Sequence, residues 1–150
     1  MRQRWEASEP CKQLRSALVS AKTPFDIGKI MGLACAPMVS SHQEQWARRS
    51  AFQHALILAL RDILGKMNGN IDRIICYAQD PAYTKNDESV LQGSGITVLD
   101  GPQAFLEVDG STVVISCAAN VPAKQIISDL ARPAVMIWDR IYEIEPEVIK

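Results

Sequence analysis

Short runs of nearly continuous hydrophobicity alternate along this chain with longer segments whose apolar residues recur at helical spacing. The first such segment, Pro10 to Ala21, carries Cys11, Leu14, Ala17, Leu18 and Ala21 on one face. Ser8 caps it, Pro10 suits its first turn, and Thr23-Pro24 ends it. Lys29 to Leu33 then reads as a buried strand, followed by the small-residue turn Ala34-Cys35-Ala36-Pro37. A long helix is predicted from about His42 to Met67. Its inner face is assigned to Phe52, Leu56, Ala59, Leu60, Ile63 and Met67, flanked by Ala47, Ala51, Ala55 and Leu58, with Arg48, Arg49, Arg61, Asp62 and Lys66 turned outward. Asn68-Gly69-Asn70 stops it.

Arg73 to Ala78 is the second strand, ending in Gln79-Asp80-Pro81. Thr84 to Asp87 has capping-box spacing, with Asp in place of the preferred Glu, and opens a short helix closed by Gly93. Ile96 to Leu99 is the third strand, Gln103 to Glu107 a single helical turn, and Asp109-Gly110 a turn. Thr112 to Cys117 is the fourth strand, Val121 to Leu130 a helix capped by Asn120, and Ala134 to Trp138 the fifth strand. Short β-branched strands alternating with helices indicate parallel strands covered on both faces. Right-handed crossovers then favour an α/β, Rossmann-like three-layer domain. The expected sheet is mostly parallel and five-stranded, of order 3-2-1-4-5, with an extra N-terminal helix. One domain is expected over residues 1–150, its core at about 27–139.

Composition narrows the function classes. Hydrophobic residues make up 47% of the chain and charged residues 22%, and the net charge is −1, so no global field draws in nucleic acid or an anionic membrane. The basic clusters at Arg2, Arg4, Lys12 and Arg15 and at Arg48 and Arg49 read as solvated faces rather than a phosphate-tracking groove. No apolar run is long enough for a spanning helix, and the N-terminus lacks a secretory h-region. Four dispersed cysteines without a CxxC pair suit reduced thiols, so the cytoplasm, with the nucleus as a second compartment, is the expected location.

In a sheet of this order a ligand sits beyond the carboxyl ends of the strands, where the order reverses. Strand one delivers Gly32 to Pro37 there and strand four delivers Ser116 to Asn120; Asp80 and Tyr83 follow strand two and Asp100 follows strand three. The first turn holds one glycine and does not match GxGxxG; tight strand-to-helix packing is favoured over a nucleotide site there. Asp80 suits either a ribose acceptor or an Asp-Pro turn. Cys35 and Cys117 end adjacent strands, but no histidine is placed to activate them, and both read as small buried hydrophobes. His54 reads as a helix histidine with a backbone or water partner. No metal set, P-loop or nucleophile elbow occurs.

Three ordered strings then point to a family. Arg48-Arg49-Ser50-Ala51-Phe52-Gln53-His54-Ala55, Gln79-Asp80-Pro81-Ala82-Tyr83, and Arg132 to Asp139 resemble the Sensitivity to Red light Reduced domain, in a variant associated with filamentous fungi. The likeness runs from about Lys29 to Asp139. Plant members are linked to light signalling and the circadian clock, and animal and yeast relatives to regulation of haem synthesis; no agreed biochemical activity comes with the family. Gly32, Gln53, Asp80, Tyr83 and Cys117 carry over as candidate positions, beside Cys35, Asp100 and Asn120 from their places in the topology. The chain departs from the family where its first turn is poorer in Gly and Ser, and where Ser116-Cys117 replaces a usual His-Cys pair. The missing histidine, and Ala36 between Cys35 and Pro37, weaken a metal or haem reading.

The expected function is a regulatory or small-ligand-binding Rossmann-like module, taking a small molecule or nucleotide. Two other readings stay open: an S-adenosylmethionine- or nucleotide-dependent transferase in fungal metabolism, and a scaffold that docks a protein partner. Neither the cofactor nor catalysis itself follows from the residues.

Overall fold

The computed structural model describes residues 7–20, 27–37, 44–69, 71–116, 127, 129 and 132–138. Helix α1 (Glu9–Ser20) precedes strand β1 (Lys29–Leu33), the long helix α2 (Glu44–Asn68) and a 3-10 turn at Ile71–Arg73. Then follow β2 (Ile75–Gln79), α3 (Lys85–Gly93), β3 (Ile96–Val98), α4 (Gly101–Glu107), β4 (Thr112–Ser116) and β5 (Val135–Trp138). The strands form one sheet of order β3-β2-β1-β4-β5, and all four pairings are parallel. The α/β class, the strand order and the N-terminal helix are therefore as expected. The predicted helix over 121–130 lies outside the described residues as an element, although Ile127 is described and buried.

The local signals act as read. Ser8 Oγ accepts the Cys11 N–H at the start of α1, and Gly69 takes the left-handed conformation after α2. At α3, Thr84 Oγ1 accepts the Asp87 N–H while the Asp87 carboxylate accepts the Thr84 N–H, a capping box with Asp in the reaching position. At the amino end of the sheet, Lys29 Nζ donates to Asp109 and to the Glu107 carbonyl, both at 2.8 Å.

Alternation along the strands sorts the core into two layers. Ile30, Cys76, Ala78, Val113 and Ile115 face α1, α2 and α3, where they meet Cys11, Leu18, Ile57, Leu60 and Leu91. Met31, Leu33 and Val114 face the other way, onto Ala104, Val108 and Ile127. Both faces are covered, which is why the strands lack a polar alternation.

One expectation fails in part. The inner face of α2 is buried as expected at Leu60 and Ile63, and Leu56 packs against the core, but the buried positions also include Ser50, Gln53, His54, Ile57 and Leu64, while Phe52 and Met67 are not among them. Phe52 is 58% exposed and Met67 46% exposed, while Asp62, assigned to the outer face, is 8% exposed. Between Ala55 and Leu60 the helix is apolar all round, so hydropathy could not choose a face there. The choice is made by the sheet, against which Ile57 lies directly. A Cβ on Gly32 would stand 2.6 Å from Ile57 Cδ1 and 3.0 Å from Cys35 Sγ, so Gly32 is a point of close approach between β1 and α2.

Gly32→Ala is expected to cost about 1–3 kcal/mol by overpacking, read from urea unfolding. Ile57→Val removes the obstructing Cδ1, so the double variant should recover much of that loss. Strictly additive losses would show that the two positions do not meet.

Candidate functional site

Two alanines after β1 adopt backbone conformations that alanine avoids: Ala34 has φ 54° and Ala36 has φ 65°. Left-handed residues with a Cβ cost about 1–2 kcal/mol each and persist only where their surroundings hold them. Here the holding groups are visible. The Ala34 N–H donates to the Gln79 carbonyl at 2.8 Å. The Ala36 N–H donates to Asp80 Oδ2 at 2.9 Å, and the Ala36 carbonyl accepts from Ser50 Oγ at 2.6 Å. Ala36 is thus tied on one side to the tip of β2 and on the other to α2.

The tie continues into a closed circuit. Asp80-Pro81-Ala82-Tyr83 is a turn in which the Tyr83 N–H donates to the Asp80 carbonyl and the Ala82 N–H donates to Asp80 Oδ1. That turn presents the Tyr83 hydroxyl to His54 Nε2 at 2.6 Å. His54 Nδ1 lies 2.7 Å from the Ser50 carbonyl and 3.3 Å from Ser50 Oγ. A carbonyl only accepts, so Nδ1 carries the proton, and Nε2 accepts from Tyr83. Ala36, Asp80, Tyr83, His54 and Ser50 are therefore linked in a ring joining β1, β2 and α2.

Burial sets the charge states of this ring. His54 is 3% exposed; desolvation lowers its pKa, opposed by the Ser50 carbonyl bond and by the charges of Asp87 and Asp80. Desolvation likewise raises the Tyr83 pKa, with the charges of Cys35, Asp80 and Asp87 adding to it. The imidazole is neutral and the phenol protonated, as their hydrogen bond requires.

Two buried polar atoms stand apart from the ring. Gln53 Oε1, from a side chain 8% exposed, and Ser116 Oγ, fully buried, have no hydrogen-bond partner among the described residues. Gln53 lies on the sheet-facing stripe of α2 beside His54. Ser116 is the last residue of β4, and its side chain falls on the opposite face from Ile115, the face of Met31 and Leu33. The strand order reverses between β1 and β4, so the two atoms flank that switch point from the two sides of the sheet.

Of the candidate residues, Gly32, Cys35, Gln53, Asp80 and Tyr83 come together at this edge. Gly32 acts there as a packing glycine and Asp80 as a tether. The Cys35 thiol is fully buried, 4.0 Å from the Leu33 carbonyl. Asp100 is the exposed N-cap residue of α4, makes no side-chain cap bond, and stands at the tip of edge strand β3. Cys117 and Asn120 lie outside the described residues. Ser50 was missed, although it opens the Ser50-Gln53-His54 polar stripe at helical spacing that continues into Ile57. His54 has the backbone partner expected of it, with Tyr83 in addition.

The sequence profile of the SRR1 domain matches residues 19–148. No curated protein and no solved structure matches the chain.

Asp80→Ala leaves the Ala36 and Ala82 N–H groups without their acceptor and should cost about 1–3 kcal/mol. Asp80→Asn keeps one acceptor oxygen and should lose about half as much; equal losses in the two variants would refute the tether. The sign of the His54 effect follows from its lowered pKa. Below its ordinary value of 6.5 the unfolded chain takes up a proton that the folded chain refuses. Stability is complete above that value and falls as pH drops from there toward the folded value. Unfolding midpoints measured from about pH 7.5 to about pH 5.5 should decline, and His54→Asn should flatten that slope. A slope unchanged in the variant would assign the effect to other groups.

Proposed function

The chain belongs to the SRR1 domain family, and within it we propose that this protein works as a regulatory module holding a small polar ligand at the carboxyl edge of its sheet. The observation that carries this reading is the pair Gln53 Oε1 and Ser116 Oγ, buried without partners among the described residues on either side of the switch point. A buried polar atom left unsatisfied costs about 1–3 kcal/mol. Such atoms call for a specific explanation, and a ligand or an ordered water that completes them is the simplest. The ligand must offer a donor to Gln53 Oε1; Ser116 Oγ accepts either polarity.

Binding rather than turnover is supported by how the reactive side chains are occupied. Both His54 nitrogens are engaged, the Tyr83 hydroxyl donates to one of them, and the Cys35 thiol is buried. None of these groups has the free lone pair and access that a general base or nucleophile needs. The hydrogen-bonded turn at Ala34 and Ala36 supports a preformed rim, since strained backbone of this kind clusters at ligand clamps.

Thermal unfolding against nucleotides, S-adenosylmethionine, nicotinamide cofactors and haem tests the proposal. A ligand at about a hundredfold its Kd adds about 2.7 kcal/mol, which raises the midpoint by several degrees in a domain of this size. Gln53→Leu and Ser116→Ala should each abolish the response while keeping the fold. A flat panel would overturn the reading in favour of partner docking, and turnover of a bound compound would replace it with the transferase reading.

A further inference from the structure

Dinucleotide-binding sheets of this kind hold their ligand at two places, the turn after the first strand taking the pyrophosphate and an acid after the second a ribose hydroxyl. In this chain those two places are bonded to each other. Asp80 Oδ2 accepts the Ala36 N–H at 2.9 Å, and Asp80 Oδ1 accepts the Ala82 N–H at 2.8 Å. Two backbone donors, one from the loop after β1 and one from the loop after β2, thus converge on a single carboxylate. Convergent N–H groups in turns form anion-binding concavities, and here the anion is a side chain of the protein. The other left-handed residue offers no alternative, since the Ala34 N–H is taken by the Gln79 carbonyl.

The half-buried Asp80 carboxylate keeps its charge in this position. Both of its donors are uncharged amides, and no lysine or arginine among the described residues pairs with it. Its remaining lone pairs can accept further hydrogen bonds, so it offers a ligand the same polarity as the partnerless Gln53 Oε1. The two acceptors share one edge: Ala36 is bonded to Asp80 and to Ser50, and Gln53 lies one turn along α2 from Ser50.

We propose that Asp80 is a built-in anion standing where a ligand phosphate would otherwise sit, so that the crevice rejects phosphorylated ligands and takes an uncharged or cationic one bearing hydrogen-bond donors. The ligand class rests on the binding site proposed above. The built-in anion rests on the turn alone and can be tested without that ligand. A phosphate brought to this edge meets N–H groups already occupied and a like charge held in place by protein bonds. Repulsion between partly buried charges is poorly screened at contact distance. A ligand with donors meets two acceptors instead, Asp80 and Gln53 Oε1.

Isothermal titration of the full chain with adenosine, AMP, S-adenosylmethionine and NAD tests the ligand class, adenosine and AMP differing only in a phosphate. Adenosine or S-adenosylmethionine should bind at least about tenfold tighter than AMP and NAD. Asp80→Asn, which keeps an acceptor but removes the charge, should reduce that preference several-fold. AMP binding to the unaltered chain as tightly as adenosine, and lost in Gln53→Leu, would overturn the proposal and leave the binding site standing. If none of the four binds, the ligand class falls with the site, and inorganic phosphate decides the built-in anion by itself. In Asp80→Ala the two vacated N–H groups should bind phosphate saturably, raising the unfolding midpoint above a sodium chloride control of equal ionic strength. The unaltered chain should show no such rise. If the variant is unfolded, recovery of its circular dichroism on adding phosphate reads the same event. A variant indifferent to phosphate, or an unaltered chain that responds as strongly, would overturn the built-in anion.

Discussion

The carboxyl edge of the sheet depends on how Ala36 is held. Its N–H and its carbonyl are both taken by side chains, Asp80 on one side and Ser50 on the other. Those two bonds stabilise a left-handed alanine that the chain would otherwise avoid, and they tie the residues after β1 to β2 and to α2. Through Asp80 the same bonds position the turn after β2, and through Ser50 and His54 they position Tyr83.

This arrangement explains why a helix inside a hydrophobic layer carries a polar stripe at its amino-terminal half. Ser50, Gln53 and His54 occupy the positions that Ile57, Leu60 and Leu64 occupy one and two turns later. Buried polar groups are tolerated where their hydrogen bonds are made, and the first turns of α2 lie over the strand tips, where backbone and side-chain partners are available. Deeper along the helix the stripe meets the buried aliphatic side chains of the strands and becomes aliphatic itself. The neutral state of His54 follows from the same geometry: one nitrogen must donate to a carbonyl while the other accepts from a phenol.

Much of the fold was legible because its signals are local. Continuous β-branched runs such as Thr112 to Ile115 identify strands buried on both faces, the Thr84–Asp87 spacing identifies a cap, and the handedness of crossovers limits the strand order. The inward face of α2 was legible only at Leu60 and Ile63, since apolar residues surround the helix at Ala55 to Leu60 and the inward positions before them are polar. A polar residue buried by virtue of its hydrogen bonds gives no hydropathy signal. The sequence pointed to a ligand between the first and fourth strands; the contacts that the fold makes with Asp80 and Tyr83 join the ends of β1 and β2 to α2. Their roles were not legible, because whether Asp80 faces a ligand or its own backbone depends on a contact with Ala36 across a gap of 44 residues in sequence.

That distinction governs how the family-carried positions are to be interpreted. Gly32, Asp80 and Tyr83 each do something for the fold itself. Gly32 allows close packing on Ile57, Asp80 tethers the first turn, and Tyr83 donates a hydrogen bond to His54. A fold that needs these residues would retain them with or without a ligand. Gln53 differs, because its carbonyl oxygen is buried and no described residue partners it. Substituting Asp80 or Tyr83 removes hydrogen bonds that hold the strand tips and α2 together. Substituting Gln53 removes an atom that bonds to none of the described residues, so its loss leaves those bonds in place.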